Sequence, residues 1–487
     1  MTQPCRVLRR FLPAAAIALA VALVTACTAP APAPETETET PGEGASMPNY
    51  GDPLPSQLIN GDAYPTAEAT IDGWINVGGQ PEVVSIASHG WGLWAALTTP
   101  TDTPVPGVSG ARIYNTWLSP EQVRDLPPPG TPGLLAEGKG ELTLTAPRQF
   151  SHITEGSALQ GAESQGSPLE HVIESVAYSP ATAKHAHDNN LLKKSTLAAL
   201  QKPGEIAEVP AFPTDSMAVK PVFVHIAASE LENGLYKMPA WPGTPDPAEA
   251  FPSNLWGACV YVDPANGGQG QGEVDSTCDT PTPETTYNLS DFIYLQLTTQ
   301  RTVEAGNHNG ETLTLTVQPE DYMALVGMHV ATREDTQWTW QTFWWTPNPS
   351  SPNTPSSAAI AAARPAGLTG PAAHYAMATA YMMVIPAQPI SGGQSVGQPM
   401  IAYNPHLEAP FDTDVFNVHR PITDGSQTFL GEYGVQSNCM TCHGMANFGG
   451  SETELGYGTD FYIGRDDPAF VGSVQTDFLW SIPSTAN

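Results

Sequence analysis

The sequence predicts an α+β fold, with a large β-rich, sandwich-like domain over residues 58–350 and a small, mainly helical region over residues 351–487. Three observations predict it. Short runs rich in β-branched and aromatic residues recur between Gly, Pro, Asn and Asp. Gly (44 residues) and Pro (49) are abundant, which favours many turns and few long helices. The stretch PNPSSPNTPSS at 347–357 then reads as a flexible break, and alanine-rich helical patterns follow it.

Residues 1–26 stand apart. Arg6, Arg9 and Arg10 precede the apolar run FLPAAAIALAVALVTA, which has the length of a signal core and is short for a membrane span. The run ends in LVTAC, with small residues before Cys27, and resembles a bacterial lipoprotein signal. The resemblance implies that Cys27 becomes the acylated first residue of an exported chain. That chain would be lipid-anchored to the cell envelope, periplasmic or at the outer membrane. Each buried CH₂ of an acyl chain contributes roughly 0.8 kcal/mol, so more than one chain gives stable anchoring. Residues 27–57 are dominated by Pro, Thr and Glu and read as an extended tether.

The elements follow in order. Predicted strands are VVSIAS (83–88), GLWAALTT (92–99), ARIYNTWL (111–118), GELTLTAP (140–147), VFVHIAAS (222–229), LWGACVYVD (255–263), FIYLQLT (292–298), ETLTLTV (311–317), MALVGMHVAT (323–332) and QWTWQTFWW (337–345). In the last, alternation puts Trp338, Trp340 and Trp344 on one face and Phe343 and Trp345 on the other. Predicted helices are SPLEHVIESVAYS (167–179) and DNNLLKKSTLAALQ (188–201), then SAAIAAAR (357–364), HYAMATAYMM (374–383) and an amphipathic tail over 466–482.

The net charge is −31, from 49 acidic and 18 basic residues. This argues against nucleic acid and against direct adhesion to anionic lipid. It suits docking to a basic redox partner, and it equally suits solubility.

Six cysteines divide by chemistry. Cys5 leaves with the signal and Cys27 takes lipid. Cys259 and Cys278 flank a glycine-rich loop and are expected to form a disulfide in an exported chain, contributing on the order of 3 kcal/mol. Cys439 and Cys442 belong to SNCMTCHGM, a C-x-x-C-H pattern ending at His443. That spacing is the attachment signature of a c-type haem: the thiols reach two vinyl groups on one porphyrin edge, and the histidine lies under the iron. One motif implies one covalently attached haem c.

The motif lies close to the C-terminus, so a second iron ligand must come from upstream. Candidates are His329, His374, His406, His419, Met377, Met382, Met383 and Met400. Protein ligation there gives a low-spin electron carrier, whereas an open position gives an enzyme or gas binder. Weaker constellations are KHAHDNN, with His185, His187 and Asp188 as metal candidates, and Arg420 and Arg465 as partners for haem propionates.

ALVGMHVATREDTQWTWQTFWW (324–345), the late NCMTCH and the terminal TDFLW together resemble a little-characterised family of bacterial cytochrome c-like proteins. That family shows a G-M-H strand, W-x-W-x-T-F and a C-terminal C-x-x-C-H. The resemblance covers roughly 290–487 and implies an exported, monohaem, redox-related protein without naming a substrate. It raises His329 as candidate sixth ligand. Where relatives carry an acid and a histidine after T-F, this chain has Trp344 and Trp345. Three functions are compatible with the residues: an electron carrier, a haem enzyme or small-ligand binder (peroxidase-like or gas-binding), and a surface recognition lipoprotein.

Overall fold

A computed structural model describes residues 49–75, 82–129, 131, 140–146, 172–245, 250–308, 311–381, 401–410, 422–424, 427–429, 438–450 and 464–487. The predicted signal, Cys27 and the tether up to residue 48 lie outside them, as do Met382, Met383, Met400, His419 and Arg420. Among the described residues no helix is long and apolar enough to cross a membrane.

The centre is an eight-stranded antiparallel sheet. Its strands are β1 (Val108–Ser109), β2 (Val172–Glu174), β3 (Ala177–Tyr178), β4 (Met217–Ile226), β5 (Tyr294–Leu297), β6 (Tyr322–Thr332), β7 (Thr339–Trp345) and β8 (Tyr375–Ala380). β6 is the spine. It pairs with β4 along one edge, and with β5 and then β7 along the other. β8 continues the sheet beyond β7. The register aligns two rows across the sheet on one face. Ala218, Ala331, Trp340 and Ala380 form the first, and Lys220, His329, Thr342 and Ala378 the second. The alternate residues, among them Val219, Val330, Met328, Phe343 and Met377, face the other way, as the period of two requires. The predicted split of the tryptophans holds: Trp338, Trp340 and Trp344 join one buried cluster, Phe343 and Trp345 another.

Helix α1 (Val83–Leu97) covers the second face. Trp94 stacks on Phe343 at 4.4 Å between centroids and packs against Tyr375 at 4.8 Å, and Trp91 lies 5.7 Å from Phe343. The expected sandwich is therefore a sheet with a helical layer, and the two strands expected over 83–99 are one helix. Ala87, Trp91 and Trp94 repeat at helical spacing, but burial nearly all round hides the polar face that would have revealed it. Gly90 allows the close approach: a Cβ there would lie 2.7 Å from Met377 Sδ.

Other expectations need correction. The stretch 374–383, expected as helix, holds strand β8. Its Ala and Met residues are helix formers, yet Tyr375 and Met377 alternate with Ala376 and Ala378 between the two cores. The described part of SPLEHVIESVAYS, residues 172–179, supplies β2 and β3, not a helix, and ARIYNTWL holds a 3₁₀ turn at Ile113–Thr116. In DNNLLKKSTLAALQ only Lys194–Leu200 is helical; Asp188 ends the preceding helix, Pro180–Asp188, and Asn190 turns the chain with φ 50°. The tail over 466–482 is a 3₁₀ turn, a two-residue strand (Val474–Gln475) and the start of a short helix (Ser481–Thr485).

The break at 347–357 does not separate two bodies. The chain from Ala45 to Asn487 is a single compact unit. Trp241 Nε1 donates to the Thr354 carbonyl at 2.6 Å and Asn353 Nδ2 to the Trp241 carbonyl at 3.0 Å, and β8 pairs in register with β7. Residues after 350 form both helices and strands, so the α+β class stands while the mainly helical description of this region does not. Cys259 and Cys278 are joined in a disulfide beside a three-stranded sheet of Tyr236–Pro239, Cys259–Asp263 and Thr286–Asn288.

Candidate functional site

CMTCH folds as one short helix, α2 (Cys439–His443), because Asn438 at its N-cap accepts the Met440 N–H on Oδ1 at 2.9 Å. Three residues apart on a helical turn, Cys439 and Cys442 lie on neighbouring positions, and neither is in a disulfide. Burial, reinforced by the Glu408 charge, pushes the Cys439 thiol up, so it is protonated at neutral pH. Its Sγ donates to the Ala402 carbonyl at 3.4 Å. Trp480 Nε1 donates to the Cys442 carbonyl at 3.1 Å and ties the helix to the chain end.

His443 is oriented from two sides. Its Nδ1 lies 2.7 Å from the Phe478 carbonyl oxygen, and its ring lies 4.2 Å from that of Trp340. A carbonyl only accepts, so Nδ1 carries the proton and the ring's lone pair is on Nε2. This tautomer, with one nitrogen fixed by a backbone carbonyl, is the arrangement that readies a histidine to ligate through the other.

Both cysteines and His443 line a cavity of about 240 Å³. The sheet's first row supplies Ala218, Ala331 and Trp340 to its wall; Ala402 and Leu479 add apolar surface. The second row supplies Lys220 and His329. The cavity exists because alanine occupies sheet positions where the opposite face carries Val, Met and Phe.

The polar part of the wall is a chain of paired groups. His329 Nε2 lies 2.9 Å from Glu408 Oε1, and Glu408 Oε2 accepts the Asn404 N–H at 2.6 Å. Lys220 Nζ lies 2.8 Å from Glu174 Oε2. Burial works to raise the Glu408 carboxyl, but His329, the Asn404 N–H and Lys220 outweigh it and hold the group below the usual carboxylate range. His329 Nδ1 is buried without a hydrogen-bond partner. Gly327 explains how Glu408 arrives. A Cβ at Gly327 would lie 2.8 Å from Asn404 Nδ2, which instead donates to Thr342 Oγ1 and the Phe343 carbonyl, both at 2.9 Å. The G-M-H segment therefore seats the 401–410 loop against the sheet.

Of the candidate second ligands that are described, His329 alone lines this cavity. His374 sits 3.8 Å from Asp291, His406 packs against Trp256, and Met377 belongs to the opposite face. Met440 and Met445 are buried outside the cavity lining. Arg465 pairs with Glu208 at 3.1 Å and lies outside the lining too; Lys220 is the basic side chain there besides the histidines. In KHAHDNN, His187 bonds Tyr50 Oη and the Pro127 carbonyl, and His185 the Pro210 carbonyl. Among the described residues no group of three or more His, Cys, Asp or Glu is arranged to hold a metal ion.

Sequence reasoning named Cys439, Cys442, His443 and His329, which all line this one cavity. It missed Glu408, Lys220, Glu174 and the Phe478 carbonyl. Glu408 was within reach as the acid of YNPHLEAP, but no spacing links it to His329, 79 residues away. No family model, no curated protein and no solved structure matches the chain, so its residues and their geometry carry the functional argument.

Proposed function

We propose that this chain is an exported, lipid-anchored monohaem c-type cytochrome that exchanges electrons with a redox partner. Cys439 and Cys442 would hold one haem c covalently, with His443 as an axial ligand. The observation that carries the reading is the orientation of His443. Its Nδ1–H is committed to the Phe478 carbonyl in the same cavity wall that presents both cysteines of the motif. The donor set suits the group: two cysteines outside any disulfide for thioether links, a histidine in the ligating tautomer, and apolar wall at Ala218, Ala331, Trp340, Ala402 and Leu479.

When bound, the haem supplies one-electron chemistry. Cys439 and Cys442 would hold it covalently and His443 would ligate it; Trp340 packs on the His443 ring, and Ala218, Ala331 and Leu479 give the cavity apolar surface. His329, on the same cavity, is the candidate for the second axial position. The acidic chain suits a basic partner.

A second reading rests on one contact. His329 Nε2 is held by Glu408, and a His329 kept in that pair would leave a bound haem free to take a small ligand, as in a haem enzyme or gas binder.

The test is the full chain expressed with its signal in a host that attaches c-type haem. One haem per chain should survive denaturing electrophoresis and be lost in the Cys439→Ala/Cys442→Ala variant. A wild-type chain without covalent haem overturns the proposal. His329→Ala separates the readings. Conversion from a low-spin to a CO-binding high-spin spectrum supports ligation; a high-spin wild type supports the open site.

A further inference from the structure

We propose that the ion pair between Arg333 and Asp477 is a positioning device for His443. It locks a left-handed turn at Asp477–Phe478 and thereby aims the Phe478 carbonyl at the imidazole.

Asp477 and Phe478 adopt φ values of 47° and 68°, a region that side-chain-bearing residues rarely enter. Two in succession require outside restraint, and each bond around them supplies some. Asp477 Oδ2 takes both Arg333 Nε, at 3.2 Å, and the Phe212 N–H, at 3.0 Å, in a site where Asp477 is buried. Arg333 is itself fixed: its Nη1 donates to the Asp335 carbonyl at 3.1 Å and its N–H to the Ser216 carbonyl at 2.9 Å. Just before the turn, Thr476 N–H donates to the Ala446 carbonyl at 3.0 Å. What leaves the turn is the Phe478 carbonyl, 2.7 Å from His443 Nδ1.

Relaxing either residue to ordinary backbone geometry rotates that carbonyl away from the ring. The imidazole then loses its fixed tautomer. Loss of such a partner also lowers the basicity of a ligating histidine and loosens its hold on a metal, typically about 10- to 100-fold. The device joins two segments far apart in the sequence, ATREDTQW beside the G-M-H strand and the terminal TDFLW. The consequence for a bound haem rests on the function proposed above; the positioning itself does not.

The experiment uses the full-length chain in two forms. In the haem-free form with ¹⁵N-labelled histidine, the His443 resonance is assigned by its loss in His443→Gln. Wild type is expected to show the Nδ1–H tautomer. Asp477→Ala and Arg333→Gln are expected to give mixed tautomers, and Asp477→Gly, which enters the left-handed region without penalty, to recover most of the wild-type signal. In the haem-loaded form, the midpoint potential should shift upward in Asp477→Ala and Arg333→Gln and return towards wild type in Asp477→Gly. An unchanged tautomer in Arg333→Gln, or an Asp477→Gly chain no better than Asp477→Ala, overturns the proposal. Arg333→Gln keeps Asp477 and its bond to Phe212, so it carries the test if Asp477→Ala does not fold. A wild type without haem sinks the cytochrome reading but leaves the tautomer measurement intact.

Discussion

On one face of the central sheet, Phe343 and Tyr375 meet Trp91 and Trp94 of a buried helix and Met377 lies against its Gly90; on the other, the neighbouring strand positions are Trp340, Thr342, Ala376 and Ala378. The strands are shared, so backbone conformation cannot account for the difference. Side-chain volume does. The first face is filled to the density of a protein interior, where removing a ring leaves a hole. The second uses alanine beside a few large or ionisable residues, and the unfilled space becomes the cavity that His443, Cys439 and Cys442 line. One sheet thus carries a filled face and a face that leaves a cavity, proposed above as the haem site, and a substitution should report which face it touches.

The largest expected effect is on binding. Ala331→Phe puts a ring into the cavity wall, and haem retained per chain should fall close to zero by absorbance after denaturing purification. Circular dichroism of the haem-free chain should remain native. Normal haem loading in that variant would break the assignment of the binding face.

Next in size is the stabilising face. Phe343→Ala removes the ring stacked on Trp94 and should cost about 3–5 kcal/mol, measured by urea unfolding of the haem-free chain. A cost as small as that of a surface substitution would show that this face is not the principal core.

A third effect belongs to the turn that joins β6 to β7. Burial, with the Glu68 and Asp72 charges, pushes the Asp335 carboxyl up to about 7, against the pull of the Gln337 N–H and Arg333. The folded chain therefore keeps a proton that the unfolded chain releases near 3.9. Stability contributed by this group falls as pH rises from about 4 to 7 and is level above. Asp335→Asn should raise stability at pH 8 by a few kcal/mol at most and change little near pH 4, read as the difference between thermal melts at the two pH values. An equal gain at both would exclude titration of Asp335.

Smallest is Gly327→Ala. The added Cβ meets the Asn404 side chain and should cost about 1–3 kcal/mol. It should also disturb the Glu408–His329 pair, so the spectrum of the haem-loaded chain is expected to change where that of Gly90→Ala, on the other face, is not.

These contrasts also explain how far the sequence could be read. Strands β5 to β7 were legible because β-branched and aromatic residues recur in them; of β4 only residues 222–226 were, since Pro221 reads as a break and the strand begins at Met217. Helix α1 was not, since Val83, Val84 and Ile86 and the two glycines mimic strand and turn while burial removes its polar side. Strand β8 was not, since Ala and Met satisfy a helical pattern as well as an alternating one, and only pairing with β7 decides. In the site, C-x-x-C-H was legible because its chemistry depends on spacing within five residues. His329 was legible from its place in the G-M-H strand. The Phe478 carbonyl left no trace because every residue carries one, and its distinction lies in backbone angles set by Arg333 and Phe212.

The seam between Phe212 and Asp477 spans 265 residues of sequence, and beside it Val474–Gln475 runs parallel to Ala207–Glu208. Contacts of that range close late in folding, after local turns and hairpins have formed. The wall that holds His443 is consequently among the last parts of the molecule to assemble. If a haem is attached as proposed, the CMTCH helix is easiest to reach before this seam closes, because Trp480 Nε1 and the Phe478 carbonyl bind it from the far side of the seam.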